Sequence, residues 1–264
     1  TGTDQVTVTV NAIPSAPTVD PSNVTEYCLN DPSGASALTA TIASGHTYTW
    51  YDNSSPNPQV LAVSPNTYTP SLTSVGTQTY RVTQTNANGC ESSALLVAVT
   101  VHALPTVSAG SDVSVCDGSS VTLTGTGAST YSWSGVDASG NAISNGVSFV
   151  PPGSTTTTYT VTGTDGNGCV ATDAVEVTSN AAAVISLSAS PTTICAGEEV
   201  VLTASGGVSY SWGPGVTVNT ATPNQQTVTP TTTTTYTVTG TDANGCTGTD
   251  QVTVTVNAIP SAPT

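Results

Sequence analysis

The sequence contains almost no positive charge. Its 264 residues include a single Lys or Arg and 16 Asp and Glu residues, so the formal net charge is −15 at pH 7. Because Arg81 is the only such basic residue, no basic patch can form to neutralise nucleic-acid phosphates or to hold an anionic membrane surface. No run of about 20 apolar residues is present to span a bilayer. The sequence therefore predicts no nucleic-acid partner and no membrane insertion.

Charged residues of either sign are also rare, at 6% of the chain, but this scarcity does not indicate disorder. Hydrophobic residues make up 36%, and most of the remainder is Thr, Ser, Gly, Asn and Pro, which are common in strands and turns. Residues 251–256 read QVTVTV, with apolar and polar residues alternating at the two-residue period of a half-buried strand. Helical periodicity is absent. The sequence therefore predicts an all-β fold.

A long repeat is visible at the two ends of the sequence. Residues 1–18 read TGTDQVTVTVNAIPSAPT, and residues 247–264 are identical, so the two segments are offset by 246 residues. We expect the chain to be a window on a longer array with this 246-residue repeat. Residues 1–11 are then the last strand of a preceding repeat, and residues 258–264 form a linker into the next one.

A shorter, degenerate repeat occurs three times within the long one. An opening cysteine begins each copy (Cys28, Cys116 and Cys195), and a closing cysteine that follows an Asn-Gly pair lies near its end (Cys90, Cys169 and Cys246). A tryptophan follows the opening cysteine by 22, 17 and 17 residues. We expect three antiparallel β-sandwiches at residues 12–103, 104–181 and 182–257, with a hairpin turn at each Asn-Gly pair. These segments are called the first, second and third copies below.

The six cysteines point to disulfides and to an oxidising, extracellular compartment. Sequence alone leaves 15 pairings open. Because each copy carries one cysteine pair in equivalent places, the repeat favours one disulfide per copy: Cys28–Cys90, Cys116–Cys169 and Cys195–Cys246. Zinc binding or free thiols are weaker alternatives, since the sequence has no Cys-x-x-Cys pair.

Aromatic residues recur at matched positions in the three copies. The six that we predict to pack in the cores are Trp50, Trp133, Trp212, Tyr80, Tyr159 and Tyr236. An alternative is that the tryptophans form platforms on which carbohydrates stack. The alternating pattern around them favours core packing.

No constellation for catalysis is apparent. The two histidines, His46 and His102, have no accompanying G-x-S-x-G motif, and no pair of carboxylates shows the signs of a glycosidase site. We therefore predict that the segment is not an enzyme and holds no cofactor. The dense acidic pattern of a calcium loop is missing as well, although carboxylates of neighbouring copies leave a linker calcium site open. The Thr-rich residues 155–158 and 231–235 favour strands, with O-glycosylation as an alternative.

Three strings carry a resemblance to a known family. TYTVTGTDANGC (residues 235–246), TYTVTGTDGNGC (158–169) and TQTYRVTQTNANGCES (77–92) resemble the Ig-like and PKD-like tandem repeats of very large secreted surface adhesins of gliding, type IX-secreting bacteria. The resemblance covers essentially the whole chain. It implies Ig-like sandwiches, a location outside the cell or on its surface, and a terminal sorting domain beyond this window.

The function that we expect from these features is mechanical. The segment would belong to a long extracellular filament or adhesin stalk, in which its partners are copies of itself, with surface glycans as further candidates. The main alternative is a carbohydrate-binding or spacer module of a secreted polysaccharide-degrading enzyme. A third is lateral self-assembly into fibres through exposed sheet edges.

Overall fold

The computed structural model describes residues 2–53, 58–63 and 67–258. Within these ranges all secondary-structure elements are β-strands, which confirms the predicted all-β class. None of the described residues forms a helix long and apolar enough to cross a membrane. Most of the predicted linker, residues 259–264, lies outside the described residues.

The chain divides into two compact units and contains three hydrophobic cores. One unit comprises Thr1–Thr106, Gly127–Thr130 and Gly163–Ala171, and the other comprises Val107–Thr126, Tyr131–Thr162 and Thr172–Thr264. One core lies in the first unit and two lie in the second. The exact ends of the three predicted domains remain a prediction.

The first copy is built from two sheets. Its described strands are β1 (Thr18–Val19), β2 (Glu26–Cys28), β3 (Leu38–Thr41), β4 (Thr47–Asp52), β5 (Val60–Val63), β6 (Thr67–Tyr68), β7 (Gly76–Thr85) and β8 (Leu95–His102). One sheet has the order β2-β8-β7-β4-β5 and the other the order β1-β3-β6. Their facing side chains form one core, in which Leu38, Trp50 and Val82 are fully buried.

The second copy has the same plan with a smaller second sheet. Its strands are β9 (Val113–Cys116), β10 (Val121–Thr122), β11 (Thr130–Ser134), β12 (Ser148–Phe149), β13 (Thr156–Thr164) and β14 (Val170–Asn180). The larger sheet has the order β11-β13-β14-β9, and β10 pairs with β12. Tyr159, Val161 and Val177 are fully buried in its core.

The third copy again has two sheets. Its strands are β15 (Ser186–Ser190), β16 (Thr193–Cys195), β17 (Val200–Ser205), β18 (Ser209–Trp212), β19 (Gln225–Val228), β20 (Thr234–Thr241) and β21 (Thr247–Asn257). The sheets have the orders β16-β21-β20-β18 and β15-β17-β19. Along β21 the burial alternates as predicted, because Val254 is buried while Thr253 and Thr255 are exposed.

A short edge strand that pairs in parallel with the last strand is common to all three copies. It is β2 beside β8, β9 beside β14 and β16 beside β21. Each of these edge strands ends at the opening cysteine. In register, Cys28 lies opposite His102, Cys116 opposite Asn180, and Cys195 opposite Asn257.

Residues 2–11 repeat the sequence of β21 but have a different structure. All of them are described, and they form no strand. Their three valines are 87%, 78% and 89% exposed at Val6, Val8 and Val10. The equivalent residues of β21 pair with β20 and cover the third core. Identical sequences therefore adopt different structures because only one of them has a neighbouring strand.

Candidate functional site

The disulfides connect one copy to the next, and the predicted pairing within each copy is wrong. Cys28 is bonded to Cys169, and Cys116 to Cys246, with Cα–Cα distances of 5.5 Å in both cases. Among the described residues, Cys90 and Cys195 are free thiols. The opening cysteine of one copy is thus joined to the closing cysteine of the copy that follows it.

The geometry of the last strand explains why pairing within a copy fails. In the third copy, Cys246 immediately precedes β21, whereas Cys195 lies opposite Asn257 at the other end of that strand. A strand of 11 residues at about 3.3 Å per residue is roughly 35 Å long. Disulfide bonding needs Cα atoms within about 7 Å. Opening and closing cysteines of one copy therefore lie at opposite ends of it.

The closing cysteines are held by equivalent turns. In the second copy, Oδ1 of Asp165 accepts hydrogen bonds from the backbone N–H groups of Asn167 and Cys169, both at 2.9 Å. Asp242 does the same for Asn244 and Cys246, also at 2.9 Å.

In the first copy, Asn86 replaces the aspartate. Its Oδ1 accepts from the backbone N–H groups of Asn88 and Cys90 at 3.0 Å. All three turns continue through a glycine with positive φ, between 80° and 84°. The closing cysteine is therefore presented in the same local geometry three times.

Burial differs between bonded and free cysteines. The bonded closing cysteines Cys169 and Cys246 are fully buried, whereas the free Cys90 is half-buried. The bonded opening cysteines Cys28 and Cys116 are half-buried, and the free Cys195 is exposed. At both kinds of position, the free thiol is the more accessible one.

A small pocket adjoins the first disulfide. Its volume is about 390 Å³, and its lining is mainly apolar, with Leu29, Pro32, Leu104 and Val170 beside Cys28. The loop that carries it is tied down by backbone hydrogen bonds, including one from the N–H of Leu29 to the carbonyl of His102 at 2.8 Å. The pocket therefore lies next to the Cys28–Cys169 disulfide.

The matched aromatic residues lie in or against the cores. Trp50, Tyr80, Trp133, Tyr159 and Tyr236 are buried, and Trp212 is half-buried against the third core. Burial raises the pKa of the Tyr80, Tyr159 and Tyr236 hydroxyls above 10.0, and the charge of Asp137 raises that of Tyr159 further. The Tyr159 hydroxyl donates to the carbonyl of Val136 at 3.1 Å.

The ionisable side chains of the described residues are spread over the copies. The described residues contain no cluster of three or more His, Cys, Asp or Glu side chains that could hold a metal ion. The two histidines lie in separate local settings. His102 Nε2 is 2.6 Å from Glu26 Oε2, and His46 Nδ1 is 3.3 Å from the carbonyl oxygen of Ser44.

Sequence reasoning did not identify the residues that cap the closing turns or the residues at the ends of the last strands. Asp165, Asp242 and Asn86 precede their closing cysteines by four residues in each copy. That spacing, with Asn-Gly in between, indicates a side-chain-capped turn. Asn180 and Asn257, which lie opposite opening cysteines, carry no comparable signal in the sequence because parallel pairing with an edge strand is not a local pattern.

Comparisons with solved structures give matches of low identity and low TM-score, among them tandem Ig and fibronectin(III)-like domains. The three Ig domains I67–I69 of titin are 12% identical, covering 93% of this chain and 99% of that one, with a TM-score of 0.40. The fibronectin(III)-like modules of Clostridium thermocellum CbhA are 15% identical, covering 62% and 94%, with a TM-score of 0.34.

A glucan-locus protein, SGBP-B of Bacteroides ovatus, solved with a mixed-linkage heptasaccharide, is 17% identical over 98% of this chain and 72% of that one. Its TM-score is 0.24. A comparison with curated proteins gave no match.

A family comparison gives a more specific result. The family described as "Ig-like domain CHU_C associated" matches twice, at residues 14–105 and at residues 102–182. The two matches together cover residues 14–182, which contain the opening and closing cysteines of the first two copies and make up more than half of the sequence. The chain therefore belongs to this family of Ig-like domains.

Proposed function

We propose that this chain is a structural segment of a long, repetitive extracellular filament or adhesin stalk, which provides reach and resistance to unfolding and proteolysis. The observation that carries the proposal is the bonding of two opening cysteines, Cys28 and Cys116, to the closing cysteine of the following copy. A chain of modules joined in this way has a covalent connection across each junction besides its backbone. That is the property a load-bearing stalk needs.

The disulfides support an extracellular location, and the charge composition fits a soluble, protease-resistant array. Disulfides persist in oxidising compartments and are rare in the cytosol. A net charge of −15 with a single Lys or Arg keeps neighbouring molecules soluble and mutually repelling. The same scarcity of basic residues leaves trypsin-like proteases one site, Arg81, which lies in β7 between two neighbouring strands.

The proposed role is not enzymatic. The Ig-like fold is typically non-catalytic, and the residues on which this site is built serve as crosslinks and turns. The proposed partners are further copies of the same repeat, followed by surface glycans at the end of a stalk. The domain that binds the adhesion target would then lie elsewhere in the array.

A carbohydrate-binding or spacer module of a secreted enzyme is the alternative. Carbohydrate stacking needs exposed aromatic faces. Trp50 and Trp133 are buried, and Trp212 is half-buried against its core, so the matched tryptophans favour the structural role.

Electron microscopy of proteins with one, two and four consecutive 246-residue repeats tests the proposal. Each copy holds strands of up to 11 residues, or about 35 Å, so three copies placed end to end would add on the order of 100 Å per repeat. We expect particle length to rise linearly with repeat number. Globules whose length does not grow would contradict the stalk. Saturable binding of soluble polysaccharides by a single repeat would support the alternative.

A further inference from the structure

We propose that Cys195 forms a disulfide with Cys90 of the following 246-residue repeat, so that the pattern of crosslinks continues without a gap along the array. The inference rests on the proposed tandem arrangement and adds the identity of the covalent junction between repeats. Cys195 is the opening cysteine of a third copy, and Cys90 is the closing cysteine of a first copy. They are the two cysteines that the disulfides within this chain leave over.

The first argument is that Cys195 occupies the position of a bonded opening cysteine. It ends the edge strand β16 and pairs in parallel register with Asn257 at the end of the last strand. Cys116 ends β9 and pairs in the same way with Asn180. Cys116 is bonded to the next copy, whereas Cys195 is exposed. In the proposed array, the first copy of the following repeat would cover Cys195.

The second argument is that Cys90 lies beside Asn11, which is the same position of the long repeat as Asn257, the residue paired with Cys195. The Sγ of Cys246 lies 4.0 Å from the carbonyl oxygen of Asn180, the residue paired with its disulfide partner. The Sγ of Cys90 lies 4.0 Å from the carbonyl oxygen of Asn11. Asn11 and Asn257 are the same position of the long repeat, because residues 1–18 and 247–264 are identical.

These two placements define one junction. Asn257 is the last residue of β21 and lies opposite Cys195. The carbonyl oxygen of Asn11 lies beside the Sγ of Cys90. When repeats are continuous, Asn257 of one repeat is Asn11 of the next, so one residue adjoins both thiols. The first copy fixes this segment further, since Nδ2 of Asn86 donates to the carbonyl of Ala12 at 3.0 Å and Nε2 of Gln84 donates to that of Ser15 at 2.6 Å.

The spacing along the chain agrees with the disulfides that are present. From Cys195, 51 residues remain to the end of a 246-residue repeat, and Cys90 lies 90 residues into the next, which makes a separation of 141. Cys28 and Cys169 are also separated by 141 residues, and Cys116 and Cys246 by 130. The proposed bond therefore closes a loop as long as that of Cys28–Cys169 and 11 residues longer than that of Cys116–Cys246.

Bond formation needs an external oxidant. The Cys195 and Cys90 thiols each lose a proton, and their two electrons pass to a low-molecular-weight or enzyme-borne disulfide, which is reduced to two thiols. Oxidised glutathione can serve as this disulfide in solution.

Counting thiols in a protein of two consecutive repeats tests the proposal. After equilibration with oxidised glutathione and denaturation, the single-repeat chain is expected to show two cysteines outside protein disulfides, Cys90 and Cys195. Mass spectrometry counts these cysteines, called free thiols below, whether they carry a proton or a glutathione adduct. The two-repeat chain contains twelve cysteines and is also expected to show two, because one Cys195 and one Cys90 now bond across the junction. Four free thiols in the monomeric two-repeat chain would overturn the proposal.

One substitution made in two places gives the matched control. Cys195→Ser in the first repeat removes the junction bond and is expected to leave three free thiols, whereas Cys195→Ser in the second repeat is expected to leave one. Equal thiol counts for the two variants would overturn the junction. Electron microscopy of the same proteins keeps the outcomes separate: linear growth in length with four free thiols retains the stalk and rejects the disulfide.

Discussion

At each closing turn, one side-chain oxygen fixes the cysteine before the last strand. In the third copy, Asp242 Oδ1 accepts two backbone N–H groups, and the backbone N–H of Asp242 donates to the carbonyl of Cys246 at 2.9 Å. These hydrogen bonds hold the turn closed while the thiol faces its partner. The turn therefore preorganises the cysteine for bonding to another copy.

Replacing the capping aspartate should destabilise the third copy. We expect Asp242→Ala to lower the free energy of unfolding by about 1–2 kcal/mol, because two N–H groups lose their acceptor. Asp242→Asn is the control and should be close to neutral, since Asn86 makes the same two bonds in the first copy. Urea unfolding followed by circular dichroism measures both. Equal losses for the two variants would show that the charge, and not the hydrogen bonds, matters.

Two sets of ionisable residues contribute stability that is lost at opposite ends of the pH scale. Hydrogen bonds lower the pKa of the Asp20, Asp137 and Asp173 carboxyls below 3.8, so the stability they contribute is present above that pH and is lost as pH falls through the lowered values. Burial raises the pKa of buried tyrosines such as Tyr159 above 10.0, so their contribution is present below pH 10 and is lost as pH rises further.

The variant Tyr159→Phe tests whether ionisation of the Tyr159 hydroxyl, and not a general change in packing, lowers the stability at alkaline pH. The variant loses the hydrogen bond to the Val136 carbonyl and should be about 1 kcal/mol less stable at pH 7. Above pH 10 the difference from the parent should shrink, because Phe has no hydroxyl to ionise. Urea titrations at pH 7, 10 and 11 measure it. A difference that stays constant over this range would show that the pKa of the Tyr159 hydroxyl is not raised in the folded protein.

At the scale of elements, the sequence predicted strands well and their partners poorly. The period-two segment at residues 251–256 lies within β21, because alternation reports directly which face of a strand is buried. The edge strands β2, β9 and β16 are only three or four residues long, and their parallel pairing depends on the whole copy.

The parallel pairing of the edge strands explains why the predicted disulfide pairing is wrong. Equivalent cysteines in repeated modules suggested one bond within each module. The parallel edge strand instead carries the opening cysteine to the far end of the last strand, and this places it about a strand length from its predicted partner. Local sequence patterns contain no measure of that distance.

Two identical segments in different settings allow a direct test of the strand assignment. Residues 1–11 and 247–257 have the same sequence, so their intrinsic amide exchange rates nearly match. We expect the amides that β21 directs toward β20 to be strongly protected in hydrogen–deuterium exchange, because they are hydrogen bonded there. Residues 2–11 should exchange at nearly intrinsic rates. Comparable protection of both segments would show that residues 2–11 have found a strand partner.

At the scale of the whole molecule, the two disulfide loops overlap and limit how far the chain can be stretched. The loop from Cys28 to Cys169 contains Cys116, which begins the loop to Cys246. Under force, an unfolded but oxidised chain extends only through residues 1–28, 116–169 and 246–264. These segments contain roughly 100 residues, against 264 in the reduced chain.

Single-molecule force spectroscopy measures this limit. At about 3.5 Å per residue, the fully extended oxidised chain should reach about 350 Å and the reduced chain about 920 Å. The double variant Cys90→Ser, Cys195→Ser is the decisive control, because pairing within copies predicts a similar length for the oxidised parent. In the structure both residues are free thiols, so the oxidised variant should match the parent. If bonds instead ran within copies, the variant would lose two of them and extend by about 400 Å more.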